Sequence, residues 1–182
     1  MAEVKRFYYE SGELKLEKYE INLQTNGIYK MYYINGQLQV ICNYIDDKKN
    51  GEYKWYHENG KLKEISYYID GKRNGCYKRY NMNGMLMITA YYIDGKKNGC
   101  YKKYYAFDDY LYNNTTEQLM LAANYIDDKV NGEYKSYYIN GMVERICNYK
   151  NDKMNGEYKK YNINGILIEY ENYTDDIKIE EF

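Results

Sequence analysis

Few side chains in this sequence could do chemistry, and their spacing argues against most of it. His57 is the sole histidine, at a position where sister segments carry Tyr33, Asn81 or Asn162. No Ser/His/Asp or Cys/His set can be assembled around it, and nucleophilic catalysis needs nucleophile, base and orienting group together. His57 therefore reads as a strand substitution, the chain reads as a non-enzyme, and no catalytic residue is expected. Cys76 and Cys100 hold equivalent positions in neighbouring segments, about 9.6 Å apart at normal strand spacing. That is too far for an undistorted disulfide and wrong for shared tetrahedral zinc coordination. Cys42 and Cys147 are equivalent to each other but lie four segments apart. The loops "DDKKNGE" and "NDKMNGE" match a calcium loop only in part, because Lys48 and Lys153 fall on would-be ligand positions. No metal and no cofactor is expected.

The best-ordered charged feature is a series of lysines: Lys30, Lys54, Lys78, Lys102, Lys135 and Lys159. One reading makes them an anionic-ligand row for acidic partners, lipid head groups or nucleic acid. The other makes them solvating groups that keep a two-sided sheet from stacking. Glu52, Glu133 and Glu157 lie nearby and the chain's net charge is -1, which favours the second reading and makes nucleic acid an unsuitable partner. The regular pattern breaks once, at "AFDDYLYNNTTEQ", where Phe107, Asp108, Asp109, Tyr110 and Tyr112 form a candidate partner-binding loop. A neutral insertion at a hairpin tip explains that stretch equally well.

These residues are positioned by a repeat. An Asn-Gly pair opens each unit at Gly27, Gly51, Gly75, Gly99, Gly132 and Gly156, with spacings of 24, 24, 24, 33 and 24. Tyr follows two residues after each Gly, then Lys, then Tyr again two further on. Each unit reads as a β-hairpin, because Tyr- and Ile-rich runs flank a second Asn-Gly, the strongest short signal for a two-residue type I′ turn. Asp-Asp or Asp-Gly, then Lys, then Asn-Gly reads as a longer turn into the next unit. A tight Asn59-Gly60 turn puts Leu62, Glu64 and Ser66 on the face of His57, Trp55 and Tyr53, and Lys63 and Ile65 on the face of Lys54 and Tyr56. Across the next turn the same reasoning sets Tyr68 beside Tyr77 and Tyr44 beside Tyr53, a ladder of aromatic pairs each adding roughly 0.2–1 kcal/mol. The expected fold is all-β: an elongated single-sheet antiparallel β-meander of consecutive hairpins with a 24-residue repeat. It is read as one domain, with residues 1–25 an N-terminal capping half-unit, 26–173 six repeats with an insertion at about 106–116, and 174–182 a closing strand or tail.

Composition agrees. The chain has 182 residues and 29 tyrosines, while Leu, Ile, Val and Phe together number 34, too few for a conventional two-layer core. Tyr offers a large ring with a hydroxyl that can stay wet, which suits a thin structure. The first residues, "MAEVKRFYYESGEL", hold no apolar leader, and no apolar run reaches membrane-spanning length, so a soluble, cytoplasmic protein is expected.

The segment "NGEYKSYYINGMVERICNYKNDKMNGEYKKY" resembles the variant MORN repeat (membrane occupation and recognition nexus), through G-x-Y-K-x-Y and N-G-x-L elements at 24-residue spacing. The resemblance extends from about residue 7 to 173. Such repeats occur in bacterial antitoxin-like proteins and in multi-copy proteins of giant amoeba-infecting DNA viruses. The resemblance implies a single-sheet meander and a protein-interaction role: a scaffold, antitoxin-like or a viral host-interaction or structural protein, in the host cytoplasm if viral. The alternative is a peripheral membrane or phosphoinositide-binding module using the Lys row. Self-association through terminal edge strands is a further expectation.

Overall fold

The computed structural model describes residues 2–105 and 117–179. The loop residues Phe107, Asp108, Asp109, Tyr110 and Tyr112 lie outside the described residues. Among those described, every regular element is a strand, seventeen in all, antiparallel and paired as consecutive hairpins in an open arrangement that is not closed into a barrel. The sequence predicts about fourteen. The excess arises chiefly because two strands are interrupted, at Asn74 and Asn98.

The chain divides into two compact units. The first, Met1–Met85, holds β1 (Ala2–Tyr8), β2 (Leu14–Ile21), β3 (Gln24–Tyr32), β4 (Leu38–Ile45), β5 (Lys48–Tyr56), β6 (Leu62–Ile69), β7 (Lys72–Arg73) and β8 (Gly75–Tyr80). The second, Leu86–Phe182, holds β9 (Leu86–Ile93), β10 (Lys96–Lys97), β11 (Gly99–Tyr104), β12 (Leu119–Ile126), β13 (Lys129–Tyr137), β14 (Val143–Lys150), β15 (Lys153–Tyr161), β16 (Leu167–Thr174) and β17 (Ile177–Ile179).

The turns are the reverse of the sequence expectation. The two-residue turns with both central residues at positive φ lie at Asp46-Asp47 (48° and 64°), Asp70-Gly71, Asp127-Asp128 and their equivalents. A type I′ turn needs two successive left-handed residues, and Asp, Asn and Gly tolerate that conformation best. The mid-repeat Asn-Gly belongs instead to a three-residue loop. His57 N–H donates to the Lys61 carbonyl (2.8 Å) and Gly60 N–H to the His57 carbonyl (2.9 Å). Gly60 alone takes positive φ there (80°), as a type I turn closed by a glycine bulge requires. The Asn-Gly that opens each repeat is no turn at all. Asn50 and Gly51 lie inside β5, where Lys49 pairs with Tyr44 and Tyr53 with Cys42, so three residues bulge opposite Asn43.

These bulges move side chains. A register shift after Trp55 leaves Lys63 without a cross-strand partner, and its ammonium sits 3.6 Å from the Trp55 ring centroid rather than on the Lys54 face. The aromatic pairs also differ from expectation. Tyr44 stands opposite Lys49, Tyr53 opposite Cys42, and Tyr68 opposite Arg73. The rings meet within each unit of the repeat, Tyr29 with Tyr44 at 5.2 Å and Tyr53 with Tyr68 at 5.6 Å. Gly51 stands opposite Tyr68 in the pairing, and the Tyr68 ring meets Tyr53 edge-on. In the second unit Tyr101–Tyr125, Tyr134–Tyr149 and Tyr158–Tyr173 repeat the arrangement.

One face thus carries the thin core. In the first unit it comprises Val40, Cys42, Tyr53 and Tyr68, flanked by Tyr29, Met31, Tyr44 and Trp55. Ala90, Ala123, Ser136 and Cys147 are buried in the second. The loops are stitched as well. Tyr9, Tyr33, Tyr105 and Tyr138 each donate a hydroxyl to a backbone carbonyl in the following hairpin, all at 2.8 Å. Asn35, Asn59 and Asn140 donate side-chain N–H groups to the loop beyond. At the opposite margin Asp47, Asp128, Asp152 and Asp176 accept the backbone N–H of Thr25, Lys97, Val130 and Met154.

Candidate functional site

The alternation of the strands sends the Lys series to the face opposite the core, and the pairing shows what stands between them. In the first unit a continuous cross-strand row runs Arg6, Glu17, Lys30, Ile41, Lys54, Ile65, Lys78. In the second it runs Thr89, Lys102, Ala122, Lys135, Ile146, Lys159, Tyr170. The predicted row exists within each unit, but most of its cations are neutralised in place. Lys54 pairs with Glu52 at 2.5 Å, Lys135 with Glu133 at 2.8 Å and Lys159 with Glu157 at 2.6 Å, each acid lying two residues earlier on the same face. Lys30 reaches Glu17 at 3.9 Å. Donating to those carboxylates raises the Lys54, Lys135 and Lys159 ammonium groups above the ordinary lysine value. The position of Glu52 is filled by Cys76 and Cys100 before Lys78 and Lys102.

Apolar groups interleave with this row. Ile28, Ile45, Tyr67 and Ile69 in the first unit, and Tyr91, Ile93, Ile126 and Tyr170 in the second, are exposed. Such a face offers contact area with little net charge.

The core face carries polar groups that the sequence reading did not find. Glu64, only 6% exposed, accepts from Arg73 (2.8 Å), Ser66 Oγ (3.3 Å) and Tyr77 OH (3.4 Å). A buried carboxylate so satisfied anchors a packed face. Repeat spacing carries little signal for it, because the sister positions of Glu64 hold Val40, Ile88, Arg145 and Glu169, with only the last matching. Burial raises Tyr44 and Tyr149 to about 12 and the Cys42 thiol to about 11. A thiol buried and protonated in this way is a packing group rather than a nucleophile. His57 commits its Nε2 to the Tyr80 carbonyl at 3.1 Å, donating where Tyr33 donates in the preceding hairpin. Among the described residues no three His, Cys, Asp or Glu side chains gather as a metal site, and no helix is long and apolar enough to cross a membrane.

The geometry defines a hairpin-repeat β-meander that presents faces and loops for contact. Residues 25–46, 49–70 and 130–151 match the MORN repeat variant. Each matched segment runs from the strand after one two-residue turn to the next such turn. No curated protein matches the chain. MORN repeats are in general non-catalytic and occur in proteins that bind other proteins or membrane lipids.

Proposed function

We propose that the chain is a non-enzymatic protein–protein interaction scaffold of the cytoplasm. The observation that carries this reading is the pairing of Lys54, Lys135 and Lys159 with Glu52, Glu133 and Glu157 on a face that also exposes Ile and Tyr. Anionic membranes recruit proteins through unpaired clustered cations, worth about 1 kcal/mol each near the surface. A neutralised face with apolar side chains resembles the polar-rimmed, aromatic-bearing surfaces that proteins use to bind each other. An antitoxin-like role, or a viral host-interaction or structural role, is the finer form of this proposal and follows the resemblance of the repeats. Four free cysteines suit a reducing compartment.

Flotation on phosphatidylserine and phosphoinositide vesicles, run beside cross-linking capture from the native cell, tests the reading. Vesicle retention lost when Lys54, Lys78 and Lys102 are changed to Glu would overturn it in favour of a peripheral membrane module. Capture of one stoichiometric protein, lost in the variant Tyr67→Glu with Ile69→Glu, is the expected result.

A further inference from the structure

Two places on the Lys-bearing face depart from the repeat in the same way. Where other repeats carry Asn43, Asn124, Asn148 and Asn172, the sequence has Tyr67 and Tyr91. Where others carry Glu52, Glu133 and Glu157, it has Cys76 and Cys100. The pairing brings these exchanges together. In the first unit Asn74 N–H donates to the Tyr67 carbonyl (2.8 Å), and a Cβ on Gly75 would lie 3.7 Å from that of Tyr67. Tyr67 therefore flanks the strand that bears Cys76 and Lys78. In the second unit Asn98 N–H donates to the Tyr91 carbonyl (2.8 Å), and Gly99 stands 3.9 Å from Tyr91 by the same measure.

The consequence is electrostatic. Losing the Glu removes the partner that neutralises the other lysines, and among the described residues neither Lys78 nor Lys102 has a carboxylate in ion-pair range. Segments 72–80 and 96–104 each hold four basic residues and no acidic one. Tyr67 is 47% exposed and Tyr91 43%, with Ile69 and Ile93 beside them at 45% and 47%. Each patch thus offers one unpaired ammonium, one phenol, one thiol and one aliphatic side chain.

We propose that each of these two patches, Tyr67–Ile69–Cys76–Lys78 in the first unit and Tyr91–Ile93–Cys100–Lys102 in the second, docks an acidic, aliphatic protein segment. The proposal rests on the protein-binding reading above and names its surface and chemistry. Carboxylates of the partner meet the lysines and the phenol hydroxyls, and its aliphatic groups cover the rings and isoleucines. Nucleic acid fits less well, since phosphate tracking needs a run of cations and favours Arg forks. Arg73 is instead bonded to Glu64 on the core face, and Arg79 stands opposite Glu64.

The exposed thiols supply the readout. The full chain is alkylated with iodoacetamide and followed by mass spectrometry, alone and with a short peptide alternating Glu and Leu. Peptide binding is measured in parallel by fluorescence anisotropy, with single-stranded DNA and phosphatidylserine vesicles as the other arms. The peptide is expected to bind and to slow modification of Cys76 and Cys100. Lys78→Glu with Lys102→Glu should weaken its affinity about tenfold or more and abolish the protection. Lys54→Glu with Lys135→Glu should preserve both. A peptide that binds without shielding either thiol, or whose protection survives the charge reversal, overturns this surface and leaves the protein-binding reading standing. Protection by vesicles or DNA with none by the peptide overturns both.

Discussion

The Nε2 of His57 lies 3.1 Å from the backbone carbonyl oxygen of Tyr80, and that contact makes the lone histidine a rung between hairpins. Tyr33 makes the same rung to the Tyr56 carbonyl at 2.8 Å. His57→Phe keeps the ring and removes the donor, so it should cost about 0.5–1.5 kcal/mol. His57→Tyr restores a donor and should recover most of that loss. Urea unfolding followed by the fluorescence of Trp55, in the same unit, measures both. Equal stability for His57→Phe and the parent chain would show that the rung contributes nothing.

Asp47 places acid sensitivity at a defined loop. Its carboxylate accepts the Thr25 N–H at 2.8 Å, and that bond holds its pKa below the usual carboxylate range. A carboxyl group whose folded pKa is depressed contributes stability above its unfolded value, near 4, and loses it as pH falls through the folded value. The denaturation midpoint of the parent chain should therefore fall as pH drops below about 4. Asp47→Asn should flatten part of that limb. Superimposable acid limbs for parent and variant would sink the assignment.

Glycine at the strand bulge is a backbone requirement at two places that differ in their surroundings. Gly51 has φ 93°, and a Cβ added there would meet nothing within 4 Å, so Gly51→Ala should cost only the left-handed strain, roughly 1–2 kcal/mol. Gly27 has φ 96° and a Cβ there would meet the Tyr19 ring at 3.4 Å, ordinary van der Waals contact, so Gly27→Ala carries the same backbone strain but gains a packing contact. Thermal unfolding should rank Gly51→Ala as the more destabilised. The opposite order would mean that the Tyr19 ring resists the added methyl.

Much of this was legible in the repeat itself. The spacing of Gly51, Tyr53 and Lys54 implies hairpins, and the lysine row and its opposing face follow from alternation. Turn type was not, because Asn-Gly is the strongest isolated hairpin signal and the sequence shows nothing of what lies across the loop. In the folded chain Asn59 spends its side chain on the Met82 carbonyl and the Lys61 N–H. The two consecutive left-handed residues are supplied by Asp46 and Asp47 instead. Bulges were equally hidden, and one of them carries Lys63 onto Trp55. At the lysine row the neutralising role of Glu52 could be read from its place two residues before Lys54. That Cys76 and Tyr67 come together could not, since they belong to different repeats and meet only through the register.

The four thiols should separate into two kinetic classes, and the slow class reports on folding. Cys76 and Cys100 are exposed, while Cys42 and Cys147 are only 4% and 3% exposed on the core face. Burial raises Cys42 to about 11 and Cys147 above the ordinary thiol value. At pH 8 both lack the thiolate that attacks iodoacetamide as well as access to it. Cys76 and Cys100 should therefore alkylate first, and the buried pair only when their strands open. Cys42 belongs to the Met1–Met85 unit and Cys147 to the Leu86–Phe182 unit. Their separate labelling rates in mild urea then measure the opening of each unit on its own. Matching rates at every urea concentration mean that the units open in one cooperative step, and diverging rates mean that each holds its own stability. Four thiols alkylated at one common rate without denaturant would contradict the burial of Cys42 and Cys147.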